Sequence, residues 1–242
     1  MSKSSKFPAP GFSRQVLVVV GGFGSGKSEV SVNLARFLSR STEAPVTIAD
    51  LDVINPYFRS REAARALAEL GIRSIIPPGD QAQADLPIII PEIKGAIQSI
   101  KGTLILDVGG DDAGAKVLSS LSDAFTPGRY ELLLTVNAYR PFTATVGGTL
   151  KIMNEIETAS KLKFTGLISN SHMVEHTTPT EILHGIELSR QVAGKTGLPI
   201  CFVSGLRAVL DRMTVEEIPY PVLPIDRSLL KPWERSVPAE ES

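Results

Sequence analysis

Eight consecutive residues, Gly21-Gly22-Phe23-Gly24-Ser25-Gly26-Lys27-Ser28, fit the pattern GxxxxGK[ST]. Glycines at this spacing let the backbone curl so that successive N–H groups aim at phosphate oxygens. A helix beginning at the loop would add its unpaired N–H groups and the positive end of its dipole. In such a loop Lys27 would reach the β and γ phosphates of a nucleoside triphosphate, and the Ser28 hydroxyl would hold magnesium. The expected nucleotide contacts are therefore Gly22, Phe23, Gly24, Ser25, Gly26, Lys27, Ser28 and the adjoining Glu29. A dinucleotide loop GxGxxG starting at Gly22 would need glycine where Lys27 stands, so that alternative is rejected.

Carboxylates follow two other apolar runs. Leu104-Ile105-Leu106-Asp107 is followed by Val108-Gly109-Gly110, an apolar strand delivering an aspartate beside the loop in the manner of a Walker B segment. Asp107 is the expected magnesium ligand, through a water, and with Gly110 it forms DxxG, a segment able to sense the γ-phosphate. The second run ends in Ala49-Asp50-Leu51-Asp52. Asp52 is the candidate for orienting the attacking water and Asp50 for supporting the metal, while one of the two could simply cap the turn before Asn55-Pro56. The catalytic assignment is thus Lys27 with Asp52, and the metal assignment Ser28, Asp50 and Asp107. Asp111 or Asp112 is expected to cap the next helix. Lys116, Arg59 and Arg61 are further sources of positive charge, or else solvated surface residues.

Alternation of short apolar runs with longer amphipathic ones must bring these groups together. Strands are expected at 16–20, 46–49, 103–106, 132–136, 164–168 and 200–203. Helices are expected after Lys27, over 61–70 up to Gly71, over 145–157 and from Thr178. At that last start Pro179 suits the first helical position and Glu181 completes a capping box. Strand-helix alternation implies an α/β fold: a mainly parallel β-sheet with helices on both faces, a P-loop nucleotide-binding architecture. Ligands of such sheets bind at the carboxyl ends of the strands, where the polar residues above converge.

The 242 residues are 43% hydrophobic, enough for one full core. The domain is expected over 14–231, with flexible tails at 1–13 and 232–242. A net charge of −1 gives no electrostatic reason to expect nucleic acid or an anionic membrane as partner. A lone cysteine, Cys201, excludes an intrachain disulfide and any CxxC motif. No apolar run approaches a membrane span and the first residues do not form a secretory signal, so a cytoplasmic location is expected.

Together the loop 21–28, Asp50-Leu51-Asp52 with Asn55-Pro56, Ala84-Asp85-Leu86-Pro87 and Leu106-Asp107-Val108-Gly109-Gly110 resemble the MinD/ParA/CobQ group of P-loop proteins, within the signal-recognition, MinD and BioD class. The resemblance runs over roughly 15–204. It implies ATP or ADP with Mg2+ as cofactors, and a base-binding asparagine after a later strand, matched here by Asn170, with residues 199–203 walling the base. The GTPase motif NKxD is absent, because Ser171 and His172 follow Asn170, which favours ATP over GTP. The resemblance also implies a nucleotide-dependent homodimer, yet Gly22 stands where that group carries its signature lysine. Membrane attachment through a terminal amphipathic helix is not expected, since the carboxyl end carries Pro232 and Pro238.

The leading expectation is an ATPase that acts as a nucleotide-dependent switch on an unidentified client protein. The alternatives are a small-molecule ligase or kinase resembling dethiobiotin synthetase or cobyrinic acid amidase, using Arg140, His172 or Arg207 for an acidic substrate, and a nucleotide-binding module without turnover.

Overall fold

The structure, a computed structural model, describes residues 6–52, 61–76 and 82–227. Its framework is an eight-stranded sheet in which every paired neighbour is parallel. The strands are β1 (Val16–Gly21), β2 (Val46–Asp50), β3 (Ile72–Ile75), β4 (Thr103–Gly109), β5 (Tyr130–Val136), β6 (Gly166–Ser169), β7 (Ile200–Leu206) and β8 (Val222–Ile225). They lie in the order β3-β2-β4-β1-β5-β6-β7-β8. Among them run α1 (Lys27–Ser41), α2 (Arg61–Ala68), α3 (Ala82–Ser99), α4 (Asp112–Leu121), α5 (Val146–Ser160), α6 (Pro179–Thr196) and the short α7 (Arg207–Leu210). This is an α/β fold, a parallel sheet with a core on each face.

β1 explains why its sequence is continuously apolar. Val16, Val18 and Val20 join one core with Leu118 of α4, Ile156 of α5 and Val192 of α6. Leu17 and Val19 join the opposite core with Val30 and Leu34 of α1 and Phe202 of β7. A strand covered on both faces has no position for a polar side chain until it leaves the sheet. Alternate residues of β1 therefore divide between two cores, and the chain becomes polar only at the loop.

All six expected strands form. The two that the sequence reading did not place, β3 and β8, are the two edges of the sheet. An edge strand needs less apolar sequence, and β8 tolerates Pro224 because only one side must pair. The helix expected over 145–157 forms as α5, capped by Thr145. Thr178 and Glu181 make the full capping box at α6, and Asp111 caps α4 by accepting from the Gly114 N–H at 2.9 Å. Residues 6–13, read from the sequence as part of a loose tail, lie against the domain instead. Phe7 is buried beside Ile182 and Val222, and the Val222 N–H donates to the Pro8 carbonyl at 2.8 Å. The sequence signal was misleading there because one buried aromatic is enough to hold a polar stretch down. The other expected tail, 232–242, lies outside the described residues.

The chain starts the sheet in its middle and fills one side before the other. β1 therefore sits between β4 and β5, and the connections leaving β1 and β5 run to opposite sides. At such a switch point the strand ends open a crevice. Register sets what lines it: Gly21 pairs with Gly109, and Asp50 with Asp107. The Gly110 N–H donates to the Gly21 carbonyl at 3.0 Å. A Cβ on Gly110 would fall 2.5 Å from the Gly21 carbonyl carbon and 2.6 Å from the Gly22 nitrogen. Gly110→Ala is expected to push the phosphate loop away from β4 and to lower stability by about 1–3 kcal/mol, read by denaturant titration. It should also weaken nucleotide binding.

Candidate functional site

Gly26 opens α1 in the left-handed region at φ 83°, and no side chain caps the helix. The first-turn N–H groups therefore face the crevice unblocked by the helix's own residues, which suits an anion. Gly24 is also left-handed, at φ 74°. Both positions are strained for any residue with a side chain, and at both the space is taken. A Cβ on Gly24 would lie 2.9 Å from Arg140 Nε, and one on Gly26 would lie 2.4 Å from Asn170 Nδ2 and 2.9 Å from His172 Nε2. The GxG spacing thus records two close approaches as well as two backbone conformations.

Lys27, Asp50, Asp52 and Asp107 are all buried at this edge. Lys27 Nζ is ion-paired with Asp52 Oδ2. Asp50 Oδ1 accepts the Asp52 N–H at 3.0 Å, and the Leu51 N–H donates to the Asp107 carbonyl at 2.8 Å. The ends of β2 and β4 are therefore tied together. Burial works against the Lys27 ammonium, but the carboxylates of Asp107, Asp52 and Asp50 outweigh it and hold its pKa above the ordinary value. Burial pushes the Asp107 carboxyl up, with Lys27 and the Ser28 and Ser31 hydroxyls pulling the other way.

Asp107 has no exposed surface; the Ser28 and Ser31 hydroxyls lie close enough to favour its charged form, but neither carboxylate oxygen has a hydrogen bond of good geometry. An orphaned buried carboxylate costs several kcal/mol unless a charge or donor meets it. The oxygen donors gathered here are Ser28, Asp50 and Asp107. They are hard ligands, of the kind magnesium takes when it keeps its own waters and shares a substrate phosphate. That fit does not need a full protein cage, and no group of three His, Cys, Asp or Glu side chains that could hold a metal occurs among the described residues.

A cavity of about 400 Å3 continues from the loop across the ends of β6, β7 and β8. Phe23, Gly24, Gly26, Lys27, Ser28 and Glu29 line the end at the loop. Gly22 is not among the lining residues; it packs instead near Phe142. Phe23 is 73% exposed. Glu29 lies in the first turn of α1, where Asn33 Nδ2 donates to its Oε1 at 3.2 Å. The far end is lined by Asn170, His172, Val174, Leu206, Ile225 and Arg227. The expected wall at 199–203 is displaced along the chain, because the cavity meets β7 only at Gly205 and Leu206 and takes its other wall from β8. That part was illegible because β8 itself was.

Asn170 reaches the cavity while bonded at both ends of its amide. Its Nδ2 donates to the Ser25 carbonyl at 2.7 Å, and its Oδ1 accepts from Ser204 Oγ at 2.8 Å. It therefore fixes the loop to β6 and β7, with one N–H and one lone pair left over. Two more groups of the sequence reading reach the same cavity, Arg140 and His172. Arg207 does not, since its guanidinium forms a fork with Asp226 at 2.8 and 2.6 Å. Lys116 is exposed on α4 away from the cavity, and Arg59 and the Arg61 side chain lie outside the described residues.

No protein-family model matches the chain, and no curated protein matches it in sequence. Solved structures match its fold. Cell division protein FtsY from Thermotoga maritima aligns with a TM-score of 0.52 at 19% identity, over 82% of this chain and 64% of that one. Chloroplast FtsY from Physcomitrella patens gives 0.51 at 17%, over 83% and 61%. The signal recognition particle receptor FtsY from Elizabethkingia anophelis, in complex with GDP, gives 0.50 at 15%, over 81% and 58%. The chain thus spans about three fifths of the length of these proteins. At such identities the likeness is one of fold alone. No helix of the described residues is long and apolar enough to cross a membrane.

His172 gives this site a pH dependence. Burial, then the nearby Arg140 and Arg227 charges, lower its pKa from 6.5 to about 4. The folded protein keeps the imidazole neutral where the unfolded chain would protonate it. The resulting stability is complete above pH 6.5 and is lost as pH falls towards 4. After allowance for partial exposure it amounts to roughly 2 kcal/mol. His172→Gln should show a smaller fall in Tm than the parent between pH 7 and pH 4.5, measured by thermal denaturation.

Proposed function

We propose that the chain is a magnesium-dependent ATP-binding protein that hydrolyses ATP and acts as a nucleotide-dependent switch on a partner protein. One observation carries the reading: Asp107, wholly buried with neither oxygen in a hydrogen bond of good geometry, beside Ser28 and Lys27 at the start of α1. Asp107, Ser28 and Asp50 would hold a magnesium ion, which would satisfy that carboxylate and supply positive charge to the nucleotide's phosphates.

The chain's own residues then have distinct work. Lys27 leaves Asp52 for the β and γ phosphates, since a triphosphate is the stronger competitor for an ammonium. Asp52 is released by the same exchange and orients the water that attacks the γ-phosphorus. The α1 N-terminus and the loop N–H groups other than that of Ser25, which donates to the Gly22 carbonyl, hold the remaining phosphate charge. The pairing of Asp52 with Lys27 links occupancy to the residues just beyond β2. A client protein, or a second copy of this chain, would read that change.

Adenine is the favoured base. The Asn170 amide retains a donor and an acceptor that match a ring nitrogen and an exocyclic amine. Ser171 and Met173 stand where the lysine and aspartate of the GTPase motif NKxD would be. GDP in one FtsY structure is the consideration on the other side, and it makes nucleoside choice the first thing to measure. The small-molecule-enzyme alternative is weakened by Arg207, which is committed to Asp226.

Lys27→Ala should abolish MgATP binding in calorimetry, a loss of at least about 100-fold in affinity. Asp52→Asn should keep MgATP binding, slightly tightened by the loss of its competition for Lys27, and lower phosphate release by about 100-fold. MgGTP should bind at least about tenfold more weakly than MgATP. Equal turnover of parent and Asp52→Asn would remove the aspartate from the mechanism, and tighter MgGTP binding would reverse the base assignment.

A further inference from the structure

Gly22 leaves the loop without the early lysine of the proteins it resembles, and the turn after β5 explains where a replacement charge comes from. That turn, 137–143, is tightly built. The Asn137 carbonyl accepts the Arg140 N–H at 3.1 Å and the Thr143 hydroxyl at 2.8 Å, and the Thr143 N–H donates to the Arg140 carbonyl at 3.0 Å. The Tyr139 N–H donates to Asn137 Oδ1 at 3.0 Å. So rigid a turn presents its side chains at fixed places.

Two of those side chains meet the phosphate loop. Phe142 lies over Gly22, with its ring 3.4 Å from where a Cβ would stand and Ile152 at 3.9 Å behind it. A Cβ at position 22 would thus make ordinary van der Waals contact with both side chains. Arg140 lies over Gly24, and its Nε donates to the Gly24 carbonyl at 2.7 Å. That bond fixes the plane of the guanidinium. Among the described residues its two terminal nitrogens donate to no other protein group, and the side chain lines the same cavity as Lys27 and Ser28. A planar fork held by one nitrogen beside the loop, with two more uncommitted in the same cavity, suits the way arginine binds phosphoryl oxygens.

We propose that Arg140 is a catalytic residue of this chain's own site, supplying from within the same molecule the transition-state charge that the missing lysine at position 22 would have brought from a second copy. The assignment rests on the ATPase reading above. In the step it assists, water oxygen bonds to the γ-phosphorus, the bond from that phosphorus to the β–γ bridging oxygen breaks, and ADP leaves with the electron pair. The proton from water is taken up by the phosphate product. Arg140 touches the oxygens on which negative charge grows.

Arg140→Gln is the informative variant, because a glutamine amide can still donate to the Gly24 carbonyl while the charge is gone. Phosphate release and MgADP affinity are measured for parent and variant, with the tightening of MgADP by aluminium fluoride as a turnover-free probe of the transition state. The expected result is a kcat at least about 100-fold lower, MgADP affinity within about threefold of the parent, and loss of the fluoride tightening. Activity per chain should also stay constant as parent protein is diluted at saturating MgATP. The proposal is overturned if the variant keeps its kcat, if kcat and MgADP affinity fall together, if fluoride does not tighten MgADP on the parent, or if activity per chain rises with protein concentration. A parent that binds no nucleotide overturns the ATPase reading as well. A parent that hydrolyses ATP beside an equally active Arg140→Gln overturns only the role of Arg140.

Discussion

A lysine taken out of water at the end of a strand must be matched by negative charge, and the arrangement of this fold follows from how that match is made. Lys27 is buried at the first turn of α1, with Asp52 as its ion partner and Asp50 and Asp107 close enough to raise its pKa. Those three carboxylates come from β2, β4 and the residues just beyond β2. Only a parallel sheet with β4 beside β1 and β2 beside β4 delivers them to one edge. Charge compensation at one ammonium therefore requires the strand order, and the strand order requires the apolar sequences that bury β1 on both faces.

The match is unequal, and the inequality is what can do work. Asp52 satisfies Lys27, while Asp107 is left with neither oxygen in a hydrogen bond of good geometry. A cluster with one satisfied pair and one orphan is stable enough to fold yet gains from any ligand that brings a cation and an anion together. A metal-chelated triphosphate is such a ligand. The glycines of the loop serve the same end. Gly24 and Gly26 allow Arg140, Asn170 and His172 to press on the loop backbone from outside, which holds its shape before a ligand arrives.

Much of this was legible in the sequence because it depends on local rules. The phosphate loop has a fixed spacing, buried central strands are runs of Val, Leu and Ile, and the cap of α6 is written in Thr178, Pro179 and Glu181. What escaped was set by tertiary neighbours. β3 and β8 are edge strands with weak patterns, and β8 supplies Ile225 to the cavity. Phe7 gave no local sign that it would be covered. Asn170 was expected from its place after β6, but its bonds to Ser25 and Ser204 join residues 145 and 34 positions away and could be seen only in three dimensions. The contact of Arg140 with Gly24, 116 positions apart, is of the same kind.

The most direct measurement is a calorimetric titration of the whole chain with ATP, with and without magnesium. If Asp107 and Ser28 complete a metal site, ATP binds one per chain and magnesium tightens it by at least about tenfold, an effect that Asp107→Asn removes. Binding that is indifferent to magnesium, or no binding by a folded chain, would contradict the assignment of this strand edge as a magnesium–nucleotide site.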